Sequence, residues 1–238
     1  MTARERFQRV CRFEPVDPPF VWSAASWNET LDRWQSEGMA VSDLSNMKQV
    51  NLHFLGWENQ REMIAPNGAI FGMGKCGNPP WVVAIDPIFE RTVIRQEAEH
   101  ITEIDYDGAI VQRRKVHDDT IPRVLEYPVK DRASWQEFKK RLDSFSPGRW
   151  PAGWQTMSEA GMGWPIRPGQ EGKHWRERDF PLGMILLSVY GSPRNYMGLE
   201  GISIAIYEDL ALVEEMMDHQ AWLACEMLKK VFAEGVTL

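Results

Sequence analysis

Apolar positions at the start of the chain follow a helical rhythm. Thr2 stands three residues before Glu5, the spacing of a capping box, and Phe7, Val10 and Cys11 fall on one face of the helix that follows. Pro15 ends that helix, and Pro18-Pro19 impose an extended path into Phe20-Val21-Trp22, a short run with the character of a buried strand. Helical spacing returns over residues 27–37, closed by Gly38, and again over residues 42–52.

From about residue 81 to 129 the pattern changes to alternation of β-branched and charged residues. Trp81-Val82-Val83-Ala84-Ile85, Thr92-Val93-Ile94, His100 to Tyr106 and Ala109 to Arg113 read as strands. Asp107-Gly108 between the last two is a hairpin signal, because both residue types tolerate the left-handed backbone of a tight turn. The stretch predicts an antiparallel meander with one solvated face, inserted in or flanking the rest of the fold.

Helices return at Asp131. Ser134 and Glu137 have capping-box spacing, and Trp135, Phe138 and Leu142 share a face. Ser146-Pro147-Gly148 ends the segment. Residues 151–160 read as a short helix, and the Gly- and Pro-rich stretch 161–172 as a loop or lid. The apolar run within residues 181–189 has the composition of a parallel strand buried on both faces. Tyr190-Gly191-Ser192-Pro193 then turns into a helix, with Ser192 suited to the N-cap and Pro193 to the first helical position; a break is expected near residues 198–201. Asp209 caps a long helix reaching about Glu234 and stopped by Gly235. Its core stripe is read as Leu210, Val213, Met217, Ala221, Ala224, Leu228 and Val231.

Strands alternating with helices predict an α/β fold. The expected architecture is a partial (β/α)8 TIM-type barrel with an inserted antiparallel β-meander, occupying residues 1–238 as one incomplete domain. Barrel-type strands are expected near Phe20 and Met184, with a third beginning at Val236. A closed barrel needs eight strands in roughly 250 residues, so the chain is expected to be the N-terminal part of a larger enzyme.

Composition narrows the function. A net charge of −7 opposes non-specific nucleic-acid binding, which needs clustered Lys and Arg. No apolar run approaches the ~20 residues of a membrane span. Three widely spaced cysteines fit free thiols in a reducing cytoplasm. Of the 11 tryptophans, Trp150, Trp154, Trp164 and Trp175 cluster in Gly/Pro-rich surroundings and read as core and loop packing, or else as an aromatic wall for a ligand.

Gly72-Met73-Gly74-Lys75-Cys76-Gly77 has the form of a dinucleotide-binding loop, but Asn78-Pro79-Pro80 forbids the helix that must follow. Glu97 and His100 have the spacing of a di-iron half-motif in strand-like sequence and read as surface charge. The five histidines show no zinc-ligand spacing with cysteine, so no metal is expected within the chain. The best candidate site is the segment 188–196, which follows a buried strand, because ligands gather at the carboxyl ends of barrel strands. A helix start with free N–H groups beside Arg194 would receive a carboxylate, and Tyr190 and Tyr196 would add hydroxyl donors. The other strand end contributes Trp22, Ser23 and Trp27 to the same pocket, with Ser188, Ser192 and Asn195 completing the substrate-binding set. The alternative is an ordinary capped turn with a solvent-facing arginine.

Arg4-Glu5-Arg6-Phe7 through Phe13-Glu14-Pro15-Val16-Asp17, Tyr190-Gly191-Ser192-Pro193, and Tyr196-Met197-Gly198-Leu199-Glu200-Gly201 resemble segments of the uroporphyrinogen decarboxylase family. Tyr207-Glu208-Asp209 and Leu212-Val213-Glu214-Glu215-Met216-Met217 resemble the helix that follows them there. The resemblance implies a (β/α)8 barrel, a homodimer when full length, and cofactor-independent loss of CO2 from a small carboxylated, tetrapyrrole-like substrate. Tyr196 would match the active-site tyrosine, and Arg194, singled out above by its place at the helix start, is the other catalytic candidate. The family's decarboxylases carry substrate-binding arginines after the first strand; here residues 22–27 contain none. The methyltransferase branch, which moves methyl groups to or from corrinoids or thiols, is the alternative, its zinc supplied only by residues beyond Leu238. A third reading is an inactive fragment or interaction module, since part of a barrel leaves an apolar edge uncovered.

Overall fold

The computed structural model describes residues 1–16, 33–38, 85–115, 121–150, 153–156, 169, 172–178 and 188–235. The chain divides into two units. One comprises Met1–Ala69, Gln155–Met184 and Val236–Leu238, the other Ile70–Trp154 and Ile185–Gly235. The strands expected near Phe20, Met184 and Val236, the helix at 42–52 and the glycine loop at 72–77 lie outside the described residues.

In the first unit, α1 (Ala3–Cys11) starts as its sequence dictates. Thr2 Oγ1 accepts from the Glu5 N–H at 3.1 Å, and Glu5 Oε2 accepts from the Thr2 N–H at 2.7 Å. The Thr2 N–H holds the Glu5 carboxyl below its ordinary range. The helix ends at Arg12, ahead of Phe13 in left-handed conformation (φ 58°). The expected apolar face is not a core face: Phe7 is half-buried, while Val10 and Cys11 are exposed. Residues 33–36 are helical and Gly38, at φ 99°, follows them as expected. Thr156 pairs antiparallel with His174, and a 3-10 turn, Trp175–Glu177, buries Trp175. Of the helix expected over 151–160 only residues 153–156 are described, and they form a turn and a bridge. Arg4 Nη1 donates to the carbonyls of Arg176 (3.0 Å) and Arg178 (3.3 Å), tying α1 to this turn.

In the second unit, β1 (Thr92–Gln96), β2 (His100–Ile104), β3 (Ile110–Arg114) and β4 (Arg123–Glu126) form an antiparallel sheet in sequential order. The predicted meander is present, and with it a mixed helix-and-strand fold. The β2–β3 register runs from His100 opposite Arg114 to Ile104 opposite Ile110. Asp107-Gly108 makes the turn: Gly108 has φ 85°, its N–H donates to the Asp105 carbonyl, and Asp107 Oδ1 accepts from the Ala109 N–H at 2.9 Å. The sheet hides one charged network. Glu103, buried, accepts from Arg91 Nη2 at 2.5 Å and Arg113 Nε at 2.9 Å, and Arg113 also donates to Asp105. A buried carboxylate needs such partners. Ile85 is buried but is not in a strand.

Helix α2 (Arg132–Lys139) begins one turn before the expected capping box. Asp131, in extended conformation, accepts from the Ser134 N–H at 2.8 Å, and Ser134 Oγ accepts from the Asp131 N–H at 2.9 Å. Glu137 instead meets Lys140 at 2.6 Å on the surface. The earlier acceptor prevails because its extended backbone leaves it outside the helix, where a cap must sit. Trp135, Phe138 and Leu142 are buried as their spacing predicts, each contributing about 1.5–3 kcal/mol by removal from water. The helix ends before the 3-10 turn Pro147–Arg149.

Helix α3 (Gly191–Glu208) breaks at Gly198 (φ 77°, ψ 160°), as anticipated, and α4 (Leu210–Ala233) is capped by Asp209 Oδ1 on the Leu212 N–H at 3.1 Å. Gly235, at φ 70°, follows its last turn. The buried stripe of α4 is Leu212, Val213, Met216, Gln220, Leu223, Met227 and Val231. Only Val213 and Val231 belong to the predicted stripe, and Leu210 is 51 % exposed. Two adjacent faces of this helix carry apolar residues at three-four spacing, and contact with the neighbouring helices selects the one that contains Gln220. Glu215 fastens α4 to α2. It accepts from Trp135 Nε1 (3.0 Å), Gln136 Nε2 (2.9 Å), Lys139 Nζ (3.1 Å) and Arg132 Nη1 (3.2 Å). The Gln136 amide leads in holding its carboxyl down to about 2.

Candidate functional site

The segment 188–196 folds differently at its start from the expectation. Helix α3 begins at Gly191, whose N–H is accepted by Ser188 Oγ at 2.9 Å. Ser192 is therefore inside the first turn rather than at the N-cap, and its N–H donates to the Ser188 carbonyl at 3.0 Å. The Arg194 N–H donates to the Tyr190 carbonyl at 3.0 Å. The free backbone donors expected beside Arg194 are thus partly spent within the helix.

Helical geometry then separates the candidate residues. Positions two apart on a helix are rotated by roughly 200°. Arg194 and Asn195 are exposed, with Arg194 Nη2 donating to Asn195 Oδ1 at 3.2 Å. Tyr190 and Ser188 are exposed as well. Ser192 and Tyr196, one turn apart, share the buried face. Trp22, Ser23 and Trp27 lie outside the described residues.

Tyr196 is 5 % exposed, and its ring centroid stands 4.5 Å from that of Phe138, which in turn stacks 6.1 Å from Phe89. No hydrogen bond of ordinary geometry reaches its Oη among the described residues, although the Ser192 hydroxyl, one turn back on the same face, is near enough to favour the phenolate. A buried hydroxyl without a partner calls for an explanation; Ser144 Oγ and the Gln220 amide share that condition. Burial pushes the phenol's pKa up, with the Ser192 hydroxyl and then the charge of Arg149 opposing the rise and that of Asp107 adding to it. The shift favours the protonated phenol over the phenolate.

Arg149 and Asp107 are the residues that sequence reasoning missed. Arg149 is buried in the 3-10 turn, its Nε donating to the Asp143 carbonyl (2.7 Å) and its Nη2 to the Arg141 carbonyl (3.0 Å). Burial lowers its pKa. Asp107 sits in the hairpin turn, where burial raises its carboxyl. Both were hidden in segments that read as turn punctuation. The one available signal for Arg149 was its place between Gly148 and Trp150, a lone charge beside an aromatic cluster.

Elsewhere, an open concavity of about 510 Å³ is lined by Met1, Glu5, Gln8, Arg9, Arg12 and Glu14. Its charges partly satisfy one another, Arg9 facing Glu14 at 3.7 Å, as on a solvated helix flank. Glu97 and His100 flank the β1–β2 turn, with the Glu97 N–H donating to the His100 carbonyl. Among the described residues no three His, Cys, Asp or Glu side chains group to hold a metal ion, and no helix is long and apolar enough to cross a membrane. Comparison of the chain with protein-family models, curated proteins and solved structures found no match.

Proposed function

We propose that the protein is a cofactor-independent decarboxylase of a small carboxylated, tetrapyrrole-like substrate, on a (β/α)8-type frame, with Tyr196 as its proton donor. The observation that carries this reading is the Tyr196 hydroxyl, buried on the same helix face as Ser192, without a hydrogen bond of ordinary geometry among the described residues and with its pKa pushed up by burial. Loss of CO2 breaks a carbon–carbon bond and leaves its electron pair on the substrate carbon. A neutral phenol can give that carbon a proton, becoming a phenolate that water must reprotonate before the next turnover, and a fixed positive charge nearby favours both anionic states. In this reading the cation whose charge acts on Tyr196 is Arg149, since Arg194 projects from the exposed face of α3. Arg149 spends donors on carbonyls of its own turn, so its part is electrostatic.

The test is CO2 release from uroporphyrinogen, a tetrapyrrole bearing acetate side chains, by the wild-type chain and by Tyr196→Phe. Release by wild type, with a loss of roughly 100-fold or more in the variant, is expected for removal of a general acid. Absence of release by the wild type counts against the reading.

A further inference from the structure

We draw no further inference here: the strongest candidate, the solvent-facing apolar row of Leu199, Ile206, Tyr207 and Leu210 along the second half of α3 and the start of α4, carries nothing because nothing in the structure shows what covers it.

Discussion

The Tyr127 ring occupies the space beside Gly198 so closely that a Cβ on residue 198 would stand 2.3 Å from its Cε2. This contact accompanies the break in α3 and a hydrogen bond in which the Val129 N–H donates to the Tyr196 carbonyl at 3.0 Å. The end of the meander is thereby joined to the turn of helix that carries Tyr196. Gly198→Ala meets both the ring and a positive φ that L residues rarely adopt. It is expected to cost about 2–4 kcal/mol, read as a lower urea midpoint; an unchanged midpoint contradicts the contact.

Capping at α2 is assigned to Asp131, not to the Ser134 and Glu137 pair. Asp131→Ala should cost about 1 kcal/mol of unfolding free energy, and Glu137→Ala no more than about 0.5 kcal/mol. The reverse order in denaturant unfolding would restore the assignment made from spacing.

Glu215 links acid stability to the α2–α4 contact. Its folded pKa, about 2, lies below the ordinary glutamate value of 4.5. The stability it contributes is full above the ordinary value and is lost as pH falls through the window between the two. Glu215→Gln should flatten the dependence of stability on pH between about 4.5 and 2. An unaltered slope in acid unfolding curves would remove Glu215 from that role.

Asp107 behaves in the opposite sense. Burial raises its carboxyl, so its charged form works against folding as pH rises above the ordinary aspartate range. Asn can still accept from the Ala109 N–H. Asp107→Asn is therefore expected to raise Tm at pH 7 relative to wild type, with the difference shrinking toward pH 4. A lower Tm at pH 7 would show that the carboxylate is stabilised there.

Local signals were the legible part of the fold. The capping box at Thr2, the Asp107-Gly108 turn, the break at Gly198 and the cap at Asp209 each depend on a few adjacent residues, and each is found where it was expected. What required tertiary contact was misread. The α4 stripe is selected by packing and includes a glutamine, which no apolar pattern would nominate. Spacing nominated Ser134 with Glu137 as the start of α2, whereas the cap is Asp131, one turn earlier. In the candidate site, Tyr196 was visible as a tyrosine at a helix start, but its companions come from segments distant in sequence: Asp107 from a hairpin turn, Arg149 from a 3-10 turn and Phe138 from α2. Arg194, two residues from Tyr196, was the natural partner on paper and is on the exposed face of the helix.

That divergence yields the most direct measurement of the central claim. The kcat for CO2 release from uroporphyrinogen should be compared for wild type, Tyr196→Phe and Arg194→Ala under one set of conditions. The account predicts a fall of roughly 100-fold or more for Tyr196→Phe and a kcat near that of wild type for Arg194→Ala. A Tyr196→Phe variant as fast as wild type, above all beside a disabled Arg194→Ala, would contradict it.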